Sequence, residues 1–406
     1  MRIAVHDHSG HHFQASLSRE LARRGHEVLH LHNPDFITGK GRLEPHPDDP
    51  LTFTAQAISV GRDFPKYSAS VRLWNERRYA NLLVARLREF GPDVVLSSNT
   101  FLVAQRRLWS ACGKAGVARV FWLQDFYSLG IVQVLGQRFG RVGAAVGAGS
   151  RLLEGRLLRA SDAVVAISED FVPTLASFRV PPERVHVIEN WAPLEELPTR
   201  PRDNDWSRAK GLSGKRVVLY AGTLGLKHDP GMLLELATAA QHDHGIRIVV
   251  ISQGPGRDWL EEKSRRQGLG NLVLLDYQPY EALPDVLATG DVLVSLLEPE
   301  AGRFSVPSKI LSYLCAGRPQ LAAIPAENLG ARTVSRSGGG IVVDPRDRRG
   351  FVDAALRLLE DDELRRQLGE RARRFAEERF SIEGVTSRFE AVLAGAVGAR
   401  RSRGPR

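Results

Sequence analysis

Cysteine is almost absent from this chain. Cys112 and Cys315 are the two present in 406 residues, too few for a disulfide framework and without metal-site spacing, so both read as small core residues of a protein in a reducing cytoplasm. No stretch approaches the ~20 uninterrupted apolar residues of a membrane span. No apolar signal core follows the strand-like opening Met1-Arg2-Ile3-Ala4-Val5-His6-Asp7, so export is not expected. No basic element carries interleaved aromatics, which argues against a nucleic-acid partner despite a formal net charge of +9. No short-period repeat is present. The histidines of His6-Asp7-His8-Ser9-Gly10-His11-His12 lack a second pair at ligand spacing, so no metal is expected there.

What is present describes a globular chain of two domains: 43% apolar and 25% charged residues over a length that lets each half bury its own core. Part of the positive excess lies in Arg400, Arg401, Arg403 and Arg406, read as a frayed, disordered end with some attraction for anionic lipid. A second basic stretch sets Arg138, Arg141, Arg151, Arg156 and Arg159 among Val142, Val146, Leu152, Leu153, Leu157 and Leu158. At on the order of 1 kcal/mol per cation near an anionic leaflet, it can hold a protein at a membrane surface. Glycines between Gly140 and Gly155 weaken that helix, and Arg156 interrupts its apolar stripe, so a solvated helix remains the alternative.

Short, apolar, unalternating runs recur between helical patterns, as in buried parallel sheets. In the first half these are Ile3 to His6, Val28 to His32, Val94 to Leu96, Val120 to Leu123, Ala163 to Ile167 and Val185 to Ile188. A fresh series runs through Val217 to Tyr220, Ile248 to Ile251, Leu272 to Leu275, Val292 to Val294 and Gln320 to Ile324. The pattern predicts an α/β fold of two doubly wound parallel-sheet domains facing one cleft. The boundaries are 1–195, a Pro-rich and Arg-rich linker at 196–214, a second domain at 215–380, and 381–406 returning toward the first domain. Ligands in such sheets sit outside the carboxyl ends of the strands.

The run from Ser305 to Pro319 reads as a loop feeding a helix N-terminus with Lys309 at its first turn, where unpaired N–H groups and the helix dipole favour phosphate. Ser305 or Ser308 can cap it, and an ordinary capped core helix has the same pattern. Gly222-Thr223-Leu224-Gly225-Leu226-Lys227 follows a strand directly, where a backbone nest and the Lys227 ammonium can hold a diphosphate. Gln253 and Gly254 form a second turn of this kind, and Gly10, at the start of the first domain's first helix, suits a phosphate or sugar contact. Asp125 follows the strand ending at Leu123 and is expected to point into the cleft or to cap the next helix.

Together these stretches resemble the family-4 glycosyltransferases of GT-B fold, close to the bacterial colanic-acid, capsule and O-antigen type. The likeness is carried by Leu21 to Val28, Ala160 to Ser168, Val187 to Trp191, Tyr220 to Lys227, the Gly254 turn, and Pro307-Ser308-Lys309 through Gly317-Arg318-Pro319. The resemblance implies transfer of a sugar from a nucleoside diphosphate donor with retained anomeric configuration. It implies no essential metal or other cofactor, and a lipid-linked saccharide acceptor at the cytoplasmic membrane surface. It makes Lys227 a catalytic group that neutralises the donor diphosphate, while Ser308 and Lys309 hold the distal phosphate. Many members carry two glutamates eight positions apart where this chain has Phe304 and Ser312. Ser312 is then expected at the ribose, and Glu300 as the stand-in for the first glutamate. Asp125 lies where other members often place histidine, and its catalytic role is carried over on that basis. Asp203-Asn204-Asp205 imitates the metal-binding motif of a different glycosyltransferase fold but falls in the linker. A nucleotide-sugar 2-epimerase and a non-catalytic partner protein share the fold and are the competing expectations.

Overall fold

The computed structural model describes residues 1–35, 42–61, 69–98, 100–225, 228–303 and 305–402, and separates into two compact units, Met1–Glu189 with Ile382–Arg406, and Asn190–Ser381. Each is built on a wholly parallel sheet, as strands without polar alternation require, since both faces must be covered by helices.

In the first unit the chain runs β1 (Arg2–Asp7), α1 (His12–Arg23), β2 (Glu27–His32), β3 (Phe53–Ala57), α2 (Ala69–Phe90), β4 (Val94–Ser98), α3 (Leu102–Lys114), β5 (Ala118–Leu123), α4 (Tyr127–Ala160), β6 (Ala163–Ala166), α5 (Val172–Ser177) and β7 (Val185–Val187). The strand order is β3-β2-β1-β4-β5-β6-β7, so winding reverses between β1 and β4. Ile3, Ala4 and Val5 of β1 and Val94, Val95 and Leu96 of β4 are buried at the middle of the sheet. Edge strand β3, with Thr54 and Gln56 set among Phe53 and two alanines, carries too weak a pattern to be expected from sequence.

Helix α4 is a hairpin rather than one rod. It breaks at Gly140 (φ 51°, ψ −127°) and folds back, so that a Cβ on Gly147 would lie 2.7 Å from Val132 Cγ2. The buried Glu154 carboxylate accepts the N–H groups of Tyr127 (2.8 Å) and Ser128 (3.2 Å) and the Ser128 hydroxyl (2.5 Å), capping the start of the helix from its own return arm. The folding back divides the stripe expected at a membrane: Leu157 and Leu158 are core residues, while Val146 and Leu152 stay exposed beside Arg151 and Arg156. No described helix is long and apolar enough to cross a membrane.

The second unit opens with α6 (Asp205–Ala209), then β8 (Arg216–Ala221), α7 (Gly231–Ala239), β9 (Ile246–Ile251), α8 (Pro255–Gln267), β10 (Leu272–Leu275), α9 (Leu283–Thr289), β11 (Val292–Leu296), α10 (Lys309–Cys315), β12 (Gln320–Ala323), α11 (Leu329–Ser337), β13 (Gly340–Val343), α12 (Arg348–Glu360) and α13 (Asp362–Arg379). Its order is β10-β9-β8-β11-β12-β13, reversing between β8 and β11. Segment 196–214, expected as a linker, is instead part of this unit. Arg202 pairs with Asp291 (3.3 Å), Trp206 Nε1 donates to Gln278 (3.0 Å), and Asn204 forms a reciprocal capping box with Ser207 at the start of α6. The Asp203-Asn204-Asp205 motif is therefore a helix cap.

The chain ends in α14 (Ile382–Ser402), which belongs to the first unit. Phe389 packs on Trp122 with ring centroids 4.7 Å apart, and Glu390 pairs with Arg24 (2.6 Å). The basic end expected to fray stays helical through Ser402, because Arg400 donates to the Gly113 carbonyl (2.9 Å) and Arg401 meets Asp93 (3.2 Å). Arg403 and Arg406 lie outside the described residues.

Candidate active site

The second unit's switch point has a gap in its ladder. Strand β11 pairs with β8 at Val218 and Leu219, two residues short of the β8 end at Ala221. The Tyr313 hydroxyl of α10 fills that gap, accepting the Ala221 N–H (3.0 Å) and donating to the Ala221 carbonyl (3.1 Å). Both backbone groups are thereby satisfied by one side chain. Burial pushes the Tyr313 phenol well above its ordinary range.

Lys309 stands four residues before Tyr313, hence on the same helix face. Its Nζ lies 3.5 Å from the centroid of the Tyr220 ring, is buried, and makes no hydrogen bond. Desolvation lowers its pKa well below the usual lysine range. The aromatic face offers attraction but no acceptor, so the ammonium retains most of the cost of leaving water, and an arriving anion would offset it. Gly222 makes room for this arrangement: its φ is +131°, and a Cβ there would lie 3.1 Å from Lys309 Nζ.

The loop after β8 is held from several sides. Tyr220 OH donates to the Thr223 carbonyl (2.7 Å), the Thr223 and Tyr277 hydroxyls meet at 2.9 Å, and the Gly256 N–H donates to the Leu224 carbonyl (3.2 Å). A Cβ on Gly256 would come within 2.4 Å of that carbonyl oxygen, so only glycine lets α8 start so close. Gly254 (φ +100°) is the N-cap of α8 and follows the partly buried Gln253. Gly222, Thr223, Gln253, Gly254 and Lys309 are thus gathered at the carboxyl ends of β8 and β9. Ser308 occupies the N-cap position of α10 without a side-chain cap bond, and Ser312 is buried one turn on. The expected serine cap does not form; Asn328 pins the preceding loop instead, donating to the carbonyls of Gly302 (2.8 Å) and Ser305 (2.9 Å). Lys227 and Phe304 lie outside the described residues.

Glu300 follows β11 and lines a pocket of about 310 Å³ with Asp229, Glu298 and Arg348, a wall that does not include Lys309 or Gly222. Burial, then Asp229 and Glu300, push the Glu298 carboxyl up.

Gly10 and Asp125 belong to the first unit. Gly10 (φ +77°) lies in the turn from β1 to α1. The buried Asp7 carboxylate ties that turn by accepting the N–H groups of Ser9 (3.0 Å) and His11 (2.5 Å), and desolvation raises its pKa. His6 is committed to Ser97 and Tyr79, both at 2.9 Å, and burial lowers it to about 3. Among the described residues no group of three or more His, Cys, Asp or Glu is placed to hold a metal ion. Asp125 is half-buried after β5 and is not the cap of α4; Phe126 holds the cap position and Glu154 takes the free N–H groups. Sequence reasoning missed Tyr220, Tyr313, Asp7 and Glu154. The i, i+4 spacing of Lys309 and Tyr313 was a signal for one of them, and Tyr220 stood in the stretch that carries the family resemblance without being given a role.

Two switch-point sheets of Rossmann-like type in one chain define the GT-B architecture. A family model described as glycosyltransferase family 4 matches residues 13–196, and one described as glycosyl transferases group 1 matches residues 203–375. The chain belongs to the family-4 glycosyltransferases and is a glycosyltransferase. Over 309 residues it is 25% identical to the Escherichia coli (strain K12) glycosyl transferase WcaI, assigned to colanic acid biosynthesis, covering 74% of each chain. It is 25% identical over 218 residues to the alpha-D-kanosaminyltransferase of Streptomyces kanamyceticus, covering 53% of this chain and 55% of that one. Among solved structures, Anabaena HepE in complex with UDP and glucose superposes with a TM-score of 0.70 at 17% identity, over 97% of this chain and 99% of that one. WaaG, a glycosyltransferase involved in lipopolysaccharide biosynthesis, does so with a TM-score of 0.64 at 15% identity, over 97% and 100%. At these identities the two structures speak for the fold alone.

Proposed function

We propose that this protein transfers a sugar from a nucleoside diphosphate donor to a lipid-linked saccharide of a surface polysaccharide, with retention of anomeric configuration and no metal. The observation that carries this reading is the buried, unpartnered ammonium of Lys309 beneath Gly222. As the glycosidic bond breaks, negative charge grows on the departing diphosphate. A fixed cation in a desolvated setting acts on that charge more strongly than water does, and needs no reorganisation when the bond breaks. Lys227 is the second cation, Gly222, Thr223, Gln253, Gly254 and Ser308 line the nucleotide diphosphate, and Ser312 meets the ribose. Glu300 and Asp125 serve the sugar being moved, and Gly10 contacts the donor's phosphate or sugar. The outer face of α4, with Val146 and Leu152 beside Arg151 and Arg156, meets the inner surface of the cell membrane. The acceptor class is supported by the colanic acid role in the name of WcaI, and the donor class by the unpartnered cation beneath Gly222 on a fold shared with HepE, which binds UDP.

The test is incubation of the full chain with candidate donors and lipid-linked saccharide. A lengthened lipid-linked product with the donor's anomeric configuration is expected. Lys227→Ala and Lys309→Ala should each lower kcat by about 10²–10³-fold without lowering Tm. Isomerised free nucleotide-sugar would assign the chain to epimerisation, and no change in Tm with UDP or GDP would make it a non-catalytic partner.

A further inference from the structure

At the other end of the second sheet, by the amino ends of β11 and β12, six arginines and four carboxylates line a pocket of about 640 Å³. The carboxylates Asp291, Asp362, Glu370 and Glu377 are each already bonded to one of four arginines of the same wall. Two guanidinium groups are left over. Arg318 donates once, to the Arg200 carbonyl (3.3 Å); its Nε is buried without a partner, and no ion pair reaches it. Burial lowers its pKa; the Asp291 carboxylate opposes that shift, and Arg202 and Arg365 add like-charge repulsion. Arg374 is exposed on α13 and has no hydrogen bond or ion pair among the described residues.

A partly buried guanidinium with an unsatisfied N–H, near an acid already paired with another arginine, is costly unless an anion meets it, and planar forks of N–H donors match tetrahedral phosphate oxygens. Position is set by the fold. Gly317 (φ +64°) ends α10 and turns the chain so that Arg318 enters the pocket, while Arg373 caps the last α10 carbonyls by donating to Cys315 (2.7 Å). The pocket thus lies at the opposite end of α10 from Lys309 and is separate from the site described above.

We propose that this pocket binds a phosphate-bearing anion, phosphate monoester or pyrophosphate, through Arg318 and Arg374. The probe is inorganic pyrophosphate added to the full chain, with sodium chloride at matched ionic strength as the control for screening. At about 100 times the dissociation constant the Tm should rise by about 5 °C. The rise should persist in Lys309→Ala, which disables the other anion site, and vanish when Arg318→Gln and Arg374→Gln are added to that variant. Arg374→Gln alone, at an exposed position that leaves the fold intact, should weaken pyrophosphate binding by about tenfold. A rise that survives the triple variant, a rise that is lost in Lys309→Ala, or none beyond the chloride control would overturn the proposal.

Discussion

Gly222 and Lys309 illustrate how one missing carbon governs a site. The glycine has a backbone angle that disfavours a side chain and a space that a Cβ would share with the lysine nitrogen. Gly222→Ala should therefore cost about 1–3 kcal/mol of stability and weaken UDP binding at least tenfold, read by urea denaturation and calorimetry. Proton linkage gives an independent check on Lys309. Its folded-state pKa is depressed, so in the free protein the ammonium releases its proton below the usual lysine range, and an anion bound beside it restores that proton. At pH above the depressed value diphosphate binding should take up a proton, with affinity falling as pH rises through that value. Titrations in buffers of different ionisation enthalpy read that uptake directly.

At the scale of elements, α4 depends on a carboxylate that arrives from its own far arm. Glu154 satisfies two N–H groups and a hydroxyl at the first turn while being wholly buried. Glu154→Ala leaves those donors without acceptors and should lower stability by about 2–3 kcal/mol, measured as a fall in the urea midpoint. Glu154→Gln, which keeps one acceptor oxygen, should lose less. Helix α10 is short, at seven residues, and its interest lies in what its two ends carry: Lys309 at the first, and Arg318 just past the last.

For the molecule as a whole, acid is the expected weakness. His6 and His30 are buried, and desolvation lowers each from 6.5 to about 3. The unfolded chain binds protons on these rings below pH 6.5 and the folded chain does not. Their contribution is therefore complete above pH 6.5 and is lost as pH falls from 6.5 toward 3, a few kcal/mol per ring as an order of magnitude. Denaturation midpoints measured from pH 7 to pH 4 should fall steadily, and His30→Asn should flatten the decline.

The parallel sheets and their helices could be read from the chain because unalternating runs such as Val94 to Leu96 have no use except burial on both faces. Glycines at strand ends and a lysine at a helix start were likewise local signals. The order of strands and the break of α4 were not, and although 381–406 was expected to return toward the first domain, the contacts that seat α14 there were not legible either, since they join partners far apart in sequence, as with Arg24 and Glu390. The same holds for the site. Lys309 was visible as a cation, but its burial against Tyr220, the Tyr313 hydroxyl in the ladder gap, and the surplus charge of Arg318 emerge only when β8, α10 and α13 are packed together. Local chemistry decides which groups a residue offers, and tertiary packing alone decides whether those groups find partners or are left waiting for a ligand.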